Sequence, residues 1–371
     1  MPPSILAGML GLVYVNYFYK VYILDQFAAF PEPVAQQLRK AIYFTNMDLQ
    51  PPRALKYYQQ ALQLAAQMGM DPFSDAILGV RIEIAFLFEK ANARPAAIRV
   101  LEDMREKMSD WLEKRDEEGN VIGEPVEAKP GEEGGEEDAE KVLENVRYRR
   151  LRRTEVLKKT VRIAGRLGDF YSEGVALDPE LAEERMVWAV TALLREQKRR
   201  DDVGVKDGEG EWFGHEEVRA ALESLGTHYA SQRKNYLAAP LFLQALGVGG
   251  NKDCHAVVTM NNLAAALALQ NPGMISGQPA ASATQQLDDA STWAKKALQL
   301  AQEIRPPQRT EECDEGCAVA TVNLGDFAAL GGNTLQARAY YIEGKSLSKG
   351  IGFQEGVARA DKALMDMSKQ R

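Results

Sequence analysis

The sequence predicts an all-α fold, a solenoid of stacked helical hairpins preceded by one membrane-spanning helix. Three observations carry that prediction. A pattern of small and bulky positions in residues 222–245 returns in residues 321–344. Elsewhere apolar residues recur at helical spacing in paired segments, punctuated by Pro, Gly, Asn and Asp. Residues 5–24 form an apolar run of about the length a helix needs to cross a bilayer.

The first copy of the pattern holds Leu222, Leu225, Gly226, Tyr229, Ala238, Phe242 and Ala245; the second holds Thr321, Leu324, Gly325, Ala328, Ala337, Tyr341 and Gly344. Such positions match the spacing of a tetratricopeptide unit, a helix–turn–helix repeat of about 34 residues. Two antiparallel helices approach closely only where one offers Gly or Ala and the other a bulky knob. Gly226 and Gly325 supply the small site on the first helix, Ala238 and Ala337 on the second, while Phe242 and Tyr341 fill the space beyond. One hairpin cannot bury this face alone, so the copies must stack.

At 371 residues the chain can bury a large core, and a repeat array escapes the size limit of a single core. A net charge of -8 counts against nucleic acid as the main partner. Cys254, Cys313 and Cys317 are too few for a disulfide framework. They read as inert thiols, with a local Cys313–Cys317 bond as the alternative.

Within residues 5–24 the strongly polar members are Asn16 and Lys20, and Tyr14, Tyr17, Phe18, Tyr19 and Tyr22 crowd the second half as an interfacial belt would. Lys20 stands near enough to the end to snorkel. A transmembrane anchor is the expectation; a cleaved secretory signal and a buried first helix of the solenoid are the alternatives. The signal reading is weakened by the lack of a basic stretch before the apolar run. Residues 25–33, with Pro31 and Pro33, then form a short tether.

Residues 34–112 read as two repeats. In the first, Leu38, Ala41 and Ile42 pair with Ala54, Tyr58 and Ala61, and Pro51 and Pro52 open the second helix; in the other, Ala85 and Phe88 pair with Ala97, Leu101 and Met104. Residues 113–140 carry Asp116, Glu117, Glu118, Glu132, Glu133, Glu136, Glu137 and Asp138 among glycines and prolines, and are predicted as a disordered acidic loop. Residues 141–371 hold repeats three to six and a closing helix.

The third repeat opens with a basic helix bearing Arg147, Arg149, Arg150, Arg152, Arg153, Lys158, Lys159 and Arg162. Such a stripe is either a docking site for an acidic partner or lipid headgroups, or a solvated face paired with the acidic loop; the second reading is the preferred one. Its companion spans about 179–197. The fourth and sixth repeats are the two matched copies, with Pro240 in the fourth. The fifth uses Leu263, Ala264 and Leu267 with Ala290, Ala294 and Ala297, joined by a long loop at 271–284. Residues 353–367 would cap the stack, with Glu355, Arg359, Asp361 and Lys362 outward.

No catalytic, cofactor or metal site is predicted. His215, His228 and His255 lie at no metal-ligand spacing, and no phosphate loop, nucleophile elbow or paired-carboxylate motif occurs. The expectation is a binding protein and not an enzyme. By the repeat register the peptide-binding groove would be lined by Gln36, Arg39, Tyr43 and Asn46, by Glu223 and Thr227, by Asn261, and by Val322 and Asp326. This mixture suits extended or partly unfolded peptide. A clamp for a terminal carboxylate is not predicted, because Tyr43 stands where an Asn is needed, and Asn262 and Asn323 are scattered matches.

The segment LRKAIYFTNMDLQPPRALKYYQQALQLAAQMGMDPFSDAILGVRIEIA at 38–85, following an apolar helix and a proline tether, resembles the fungal mitochondrial inner-membrane tetratricopeptide adaptor of the i-AAA protease. SLSKGIGFQEGV at 346–357 is similar to that family's carboxyl end. The resemblance implies an inner-membrane anchor with repeats in the intermembrane space, where they gather unfolded clients and pass them to the protease. It implies no cofactor. One departure is that family members carry an Arg-rich targeting sequence before the membrane helix, whereas this chain starts almost at the helix, which fits a start lying further upstream or internal targeting. An import receptor or co-chaperone dock, and a respiratory-complex assembly factor, are the rival functions.

Overall fold

In this computed structural model, residues 27–122, 136–250, 252–270 and 283–369 are described, and their regular elements are helices apart from one antiparallel bridge between Arg115 and Val121. The predicted membrane span at 5–24 lies outside them. Among the described residues no helix is long and apolar enough to cross a membrane. The chain divides into two compact units, one ending at Leu177 and including Gly204–Glu211, the other made of Asp178–Val203 and the chain from Trp212 onward.

The first unit contains α1 (Glu32–Asn46), α2 (Pro51–Gln67), α3 (Asp75–Lys90), α4 (Arg94–Glu113) and α5 (Glu136–Ser172). Proline sits in the opening turn of α1, α2 and α4, where its missing N–H has no helical partner to lose. Ser74 caps α3 by accepting the backbone N–H of Ile77. The predicted pairings hold. Ala41, Ala54, Tyr58 and Ala61 are buried together, as are Ala85, Ala97, Leu101 and Met104. The buried end of α5 adds Ile163, Leu167 and Phe170 to the second of these cores.

Two expectations change here. The acidic loop is shorter than 113–140: Glu136, Glu137 and Asp138 already belong to α5, and residues 123–135 lie outside the described set. Its opening turn is ordered by Asp116, whose carboxylate accepts the N–H groups of Glu118 and Asn120. Among the described residues the basic stripe of α5 pairs both with Glu118 at the start of the acidic loop and with carboxylates outside the loop. Glu118 meets Arg150 at 2.5 Å and also pairs with Lys206, while Arg147 meets Asp207 at 2.5 Å, Lys159 meets Asp75 at 2.6 Å, Arg166 meets Glu89 at 2.5 Å, and Arg152 pairs with Asp71. The sequence separations hid these contacts.

The second unit contains α6 (Pro179–Val203), α7 (His215–Ser231), α8 (Asn235–Gly249), α9 (Cys254–Ala268), α10 (Ala283–Glu303), α11 (Glu311–Leu330), α12 (Thr334–Gly350) and α13 (Gln354–Lys369). The pair read as a third repeat is thus divided, with α5 in one unit and α6 in the other. The matched copies pack as their spacing requires. A Cβ on Gly226 would stand 2.9 Å from the Phe242 ring, and one on Gly325 would stand 2.7 Å from the Tyr341 ring. Helix α10 presents Ala290, Ala294, Ala297 and Ala301, all fully buried, as the small stripe of the fifth repeat. Pro240 is exposed and α8 continues past it to a left-handed Gly250.

The cysteines correct the sequence reading. Cys254 at the start of α9 is bonded to Cys313 in the first turn of α11, with Cα atoms 4.7 Å apart, and Cys317 is the free thiol. Stacking places the two amino ends side by side, which a local i, i+4 reading could not reveal. The closing helix buries Gly356 and Ala360. Two of the residues expected on its outer face stay accessible while pairing with neighbouring helices, Arg359 with Asp326 at 2.7 Å and Asp361 with Lys345.

Candidate protein-binding surface

In the first unit the carboxyl ends of the first helices α1 and α3 are joined by Lys90, whose Nζ donates to Asn46 Oδ1 at 2.6 Å. One turn earlier stand Tyr43 and Phe86, and Met47 follows α1. They are 52%, 41% and 79% exposed, far more than packing between repeats would leave. The Lys90 ammonium lies 4.8 Å from the Phe86 ring centre and completes a patch of aromatic, thioether and cationic character. Gln36 is also exposed. Arg39 is more confined, paired with Glu32 and lying over the Phe27 ring at 5.8 Å.

In the second unit the first helices α7, α9, α11 and α13 are stitched in sequence by polar side chains. Glu223 on α7 accepts the Thr259 hydroxyl and stands 2.5 Å from His255 Nε2, both on α9. His255 Nδ1 is 3.4 Å from Glu312 on α11. Asn261 Nδ2 donates to the Gly316 carbonyl at 2.9 Å. Asp326 accepts the Tyr341 hydroxyl and the Arg359 guanidinium, each at 2.7 Å, and Arg359 also donates to Asn323 Oδ1.

The sequence-derived groove set therefore separates. Gln36, Tyr43, Asn46 and Thr227 are on the surface. Glu223 and Asp326 are rungs between helices. Asn261 and Val322 are buried, at 2% and 1% exposure, so neither lines a surface. The reason is close approach. A Cβ on Gly316 would lie 2.6 Å from Val257, so α11 meets α9 tightly enough to enclose Asn261; Gly344 likewise leaves room for Val322 in the core with Ala337 and Tyr341. Phe86, His255, Glu312 and Arg359 were missed. Gly316, a glycine inside a helix, was the available signal for the closeness.

Electrostatics follow this stitching. Burial alone would lower the His255 pKa, but the Glu223 and Glu312 carboxylates outweigh it and hold the imidazole above its ordinary value, with Arg219 opposing. Burial would raise the Asp253 carboxyl, yet Arg219 at 2.8 Å and the Ala256 N–H hold it below the usual range. Among the described residues no group of three His, Cys, Asp or Glu side chains is placed to hold a metal ion.

Comparison with a curated relative agrees with the repeat architecture. The chain is 27% identical to a TPR repeat-containing protein of Schizosaccharomyces pombe (strain 972 / ATCC 24843) over 364 residues, which cover 95% of this chain and 83% of the relative. It is similar to a tetratricopeptide-repeat protein. No protein-family model matches. Among solved structures, BtubC (BKLC) from P. vanneervenii is 15% identical, covers 83% of this chain and 93% of its own, and has a TM-score of 0.39. The TPR2AB-domain:pHSP90-complex of yeast Sti1 is 13% identical, covers 88% and 98%, and has a TM-score of 0.21. In tetratricopeptide terms the exposed patch lies on the first helices of repeats one and two. The polar rungs lie on the first helices of repeats four to six and the cap. A scaffold of this kind serves protein–protein contact.

Proposed function

We propose that the chain is a membrane-anchored adaptor, held in the mitochondrial inner membrane by residues 5–24 with its repeats in the intermembrane space. It binds unfolded protein segments and presents them to a membrane-bound AAA protease. The observation that carries the binding role is the exposed Tyr43, Met47 and Phe86 on adjoining first helices. Apolar surface kept open on a solenoid face marks an interaction site, and an aromatic and Met surface adapts to varied apolar side chains. The finer assignment rests on the resemblance of segments 38–85 and 346–357 to the protease adaptor family. The Cys254–Cys313 bond supports an oxidising compartment. In this role the anchor raises the local concentration of clients beside the protease, and the chemistry belongs to the protease.

Affinity capture of the full chain from digitonin-solubilised mitochondria tests the partner. The expected eluate contains the AAA protease subunits. Recovery of import, chaperone or respiratory-complex subunits with no protease overturns the assignment. Deleting residues 5–24 should release the protein from carbonate-washed membranes, and its retention there would reject the anchor.

A further inference from the structure

The first unit carries a second surface, away from the first-helix patch. A groove of about 520 Å³ runs between the second helices α2 and α4, floored by α3. Leu62, Ile84, Phe88, Val100 and Met104 give it an apolar bed. Its rim carries Arg81, Arg99 and Asp103.

The charges on that rim do not balance. Asp103 is engaged by Lys107 at 2.7 Å and is only 3.9 Å from Arg81, whose Nε is buried with no hydrogen-bond partner among the described residues. Arg99 is exposed and has no ion-pair partner among them. An apolar trough bordered by two guanidiniums, one carboxylate already engaged, is complementary to a helix with an apolar stripe and carboxylates beside it. Planar guanidinium forks suit carboxylates in particular. A helix laid in a groove of this kind anchors through side chains at i, i+3 or i+4, and i+7.

We infer that the α2–α4 groove docks an amphipathic helix of a partner protein, with Glu or Asp flanking its apolar stripe. The surface is separate from the one proposed for unfolded segments. The adaptor thereby holds two proteins at once, one on each side of the first two repeats.

A charge-swap titration tests it. The probes are two synthetic amphipathic helices with the same Leu stripe, one bordered by Glu and the other by Lys, titrated against the full chain by fluorescence anisotropy. The Glu peptide should saturate the wild-type chain, and Arg99→Glu should weaken it by roughly tenfold while improving the Lys peptide. Arg99 is on the surface, so circular dichroism and Tm of the variant should be unchanged. A Tyr43→Ser/Phe86→Ser variant should bind the Glu peptide as the wild type does, which separates this groove from the first-helix patch. No saturable binding, equal affinity for both peptides, indifference to Arg99→Glu, or loss of binding in the Tyr43→Ser/Phe86→Ser variant would each overturn the inference.

Discussion

At Gly226 the room a side chain would need is already filled by the Phe242 ring, and at Gly325 by Tyr341. Leu at either position should destabilise the second unit by about 1–3 kcal/mol through overpacking. Thermal denaturation would show it, and an unchanged Tm would contradict the pairing of these helices. Both contacts were legible because the repeat places a glycine opposite an aromatic twice in one chain. Asn261 and Val322 were illegible as core residues, since their burial depends on how closely neighbouring repeats approach, and that is set by Gly316 and Gly344. His255 belongs to the same class: its carboxylates come from residues 32 positions earlier and 57 later. Because its folded pKa lies above the unfolded value, its stabilising contribution is complete below about pH 6.5 and is lost as pH rises through the folded pKa. Melting curves from acid to alkaline pH should therefore fall more steeply for the wild type than for His255→Gln across that window. Parallel curves would remove His255 from the account.

Helix pairs carry the next level of organisation. The chain between α9 and α11 includes a loop outside the described residues, yet the two amino ends are held together by a bond spanning 59 residues of sequence. Closing a loop of that length removes unfolded-state entropy equivalent to about 4 kcal/mol. A Cys254→Ser/Cys313→Ser variant should accordingly lose stability of that order at most, with hydrogen-exchange protection falling first in α9 and α11. If protection fell first in α1–α4, the bond would not be the staple of the second unit. Helix existence was readable for nearly every described element, because Pro, Ser, Asp and Gly punctuate the chain where helices start and stop. Pairing was less so. Helix α5 looked like the opening of a third repeat, but its cationic side chains reach Asp71, Asp75, Glu89 and Asp207, and its apolar end packs on α4. Charge matching across long separations leaves no periodic trace in a sequence.

For the whole molecule, binding falls to side chains that the repeats leave over after stacking. In the second unit Glu223, His255, Asn261 and Asp326 are engaged between repeats; in the first, Tyr43, Met47 and Phe86 remain open. The anchor, the compartment and the protease partner are proposals drawn from resemblance and from the disulfide, and their tests lie in mitochondria. The binding surface itself can be tested in solution. The most direct measurement is the affinity of a fluorescent, permanently unfolded protein for the full chain and for its Tyr43→Ser/Phe86→Ser variant. Both residues are partly exposed, so the fold should survive, and binding should weaken by roughly tenfold with the loss of two aromatic contacts. Equal affinities, with both proteins equally folded, would contradict the claim that this face receives clients.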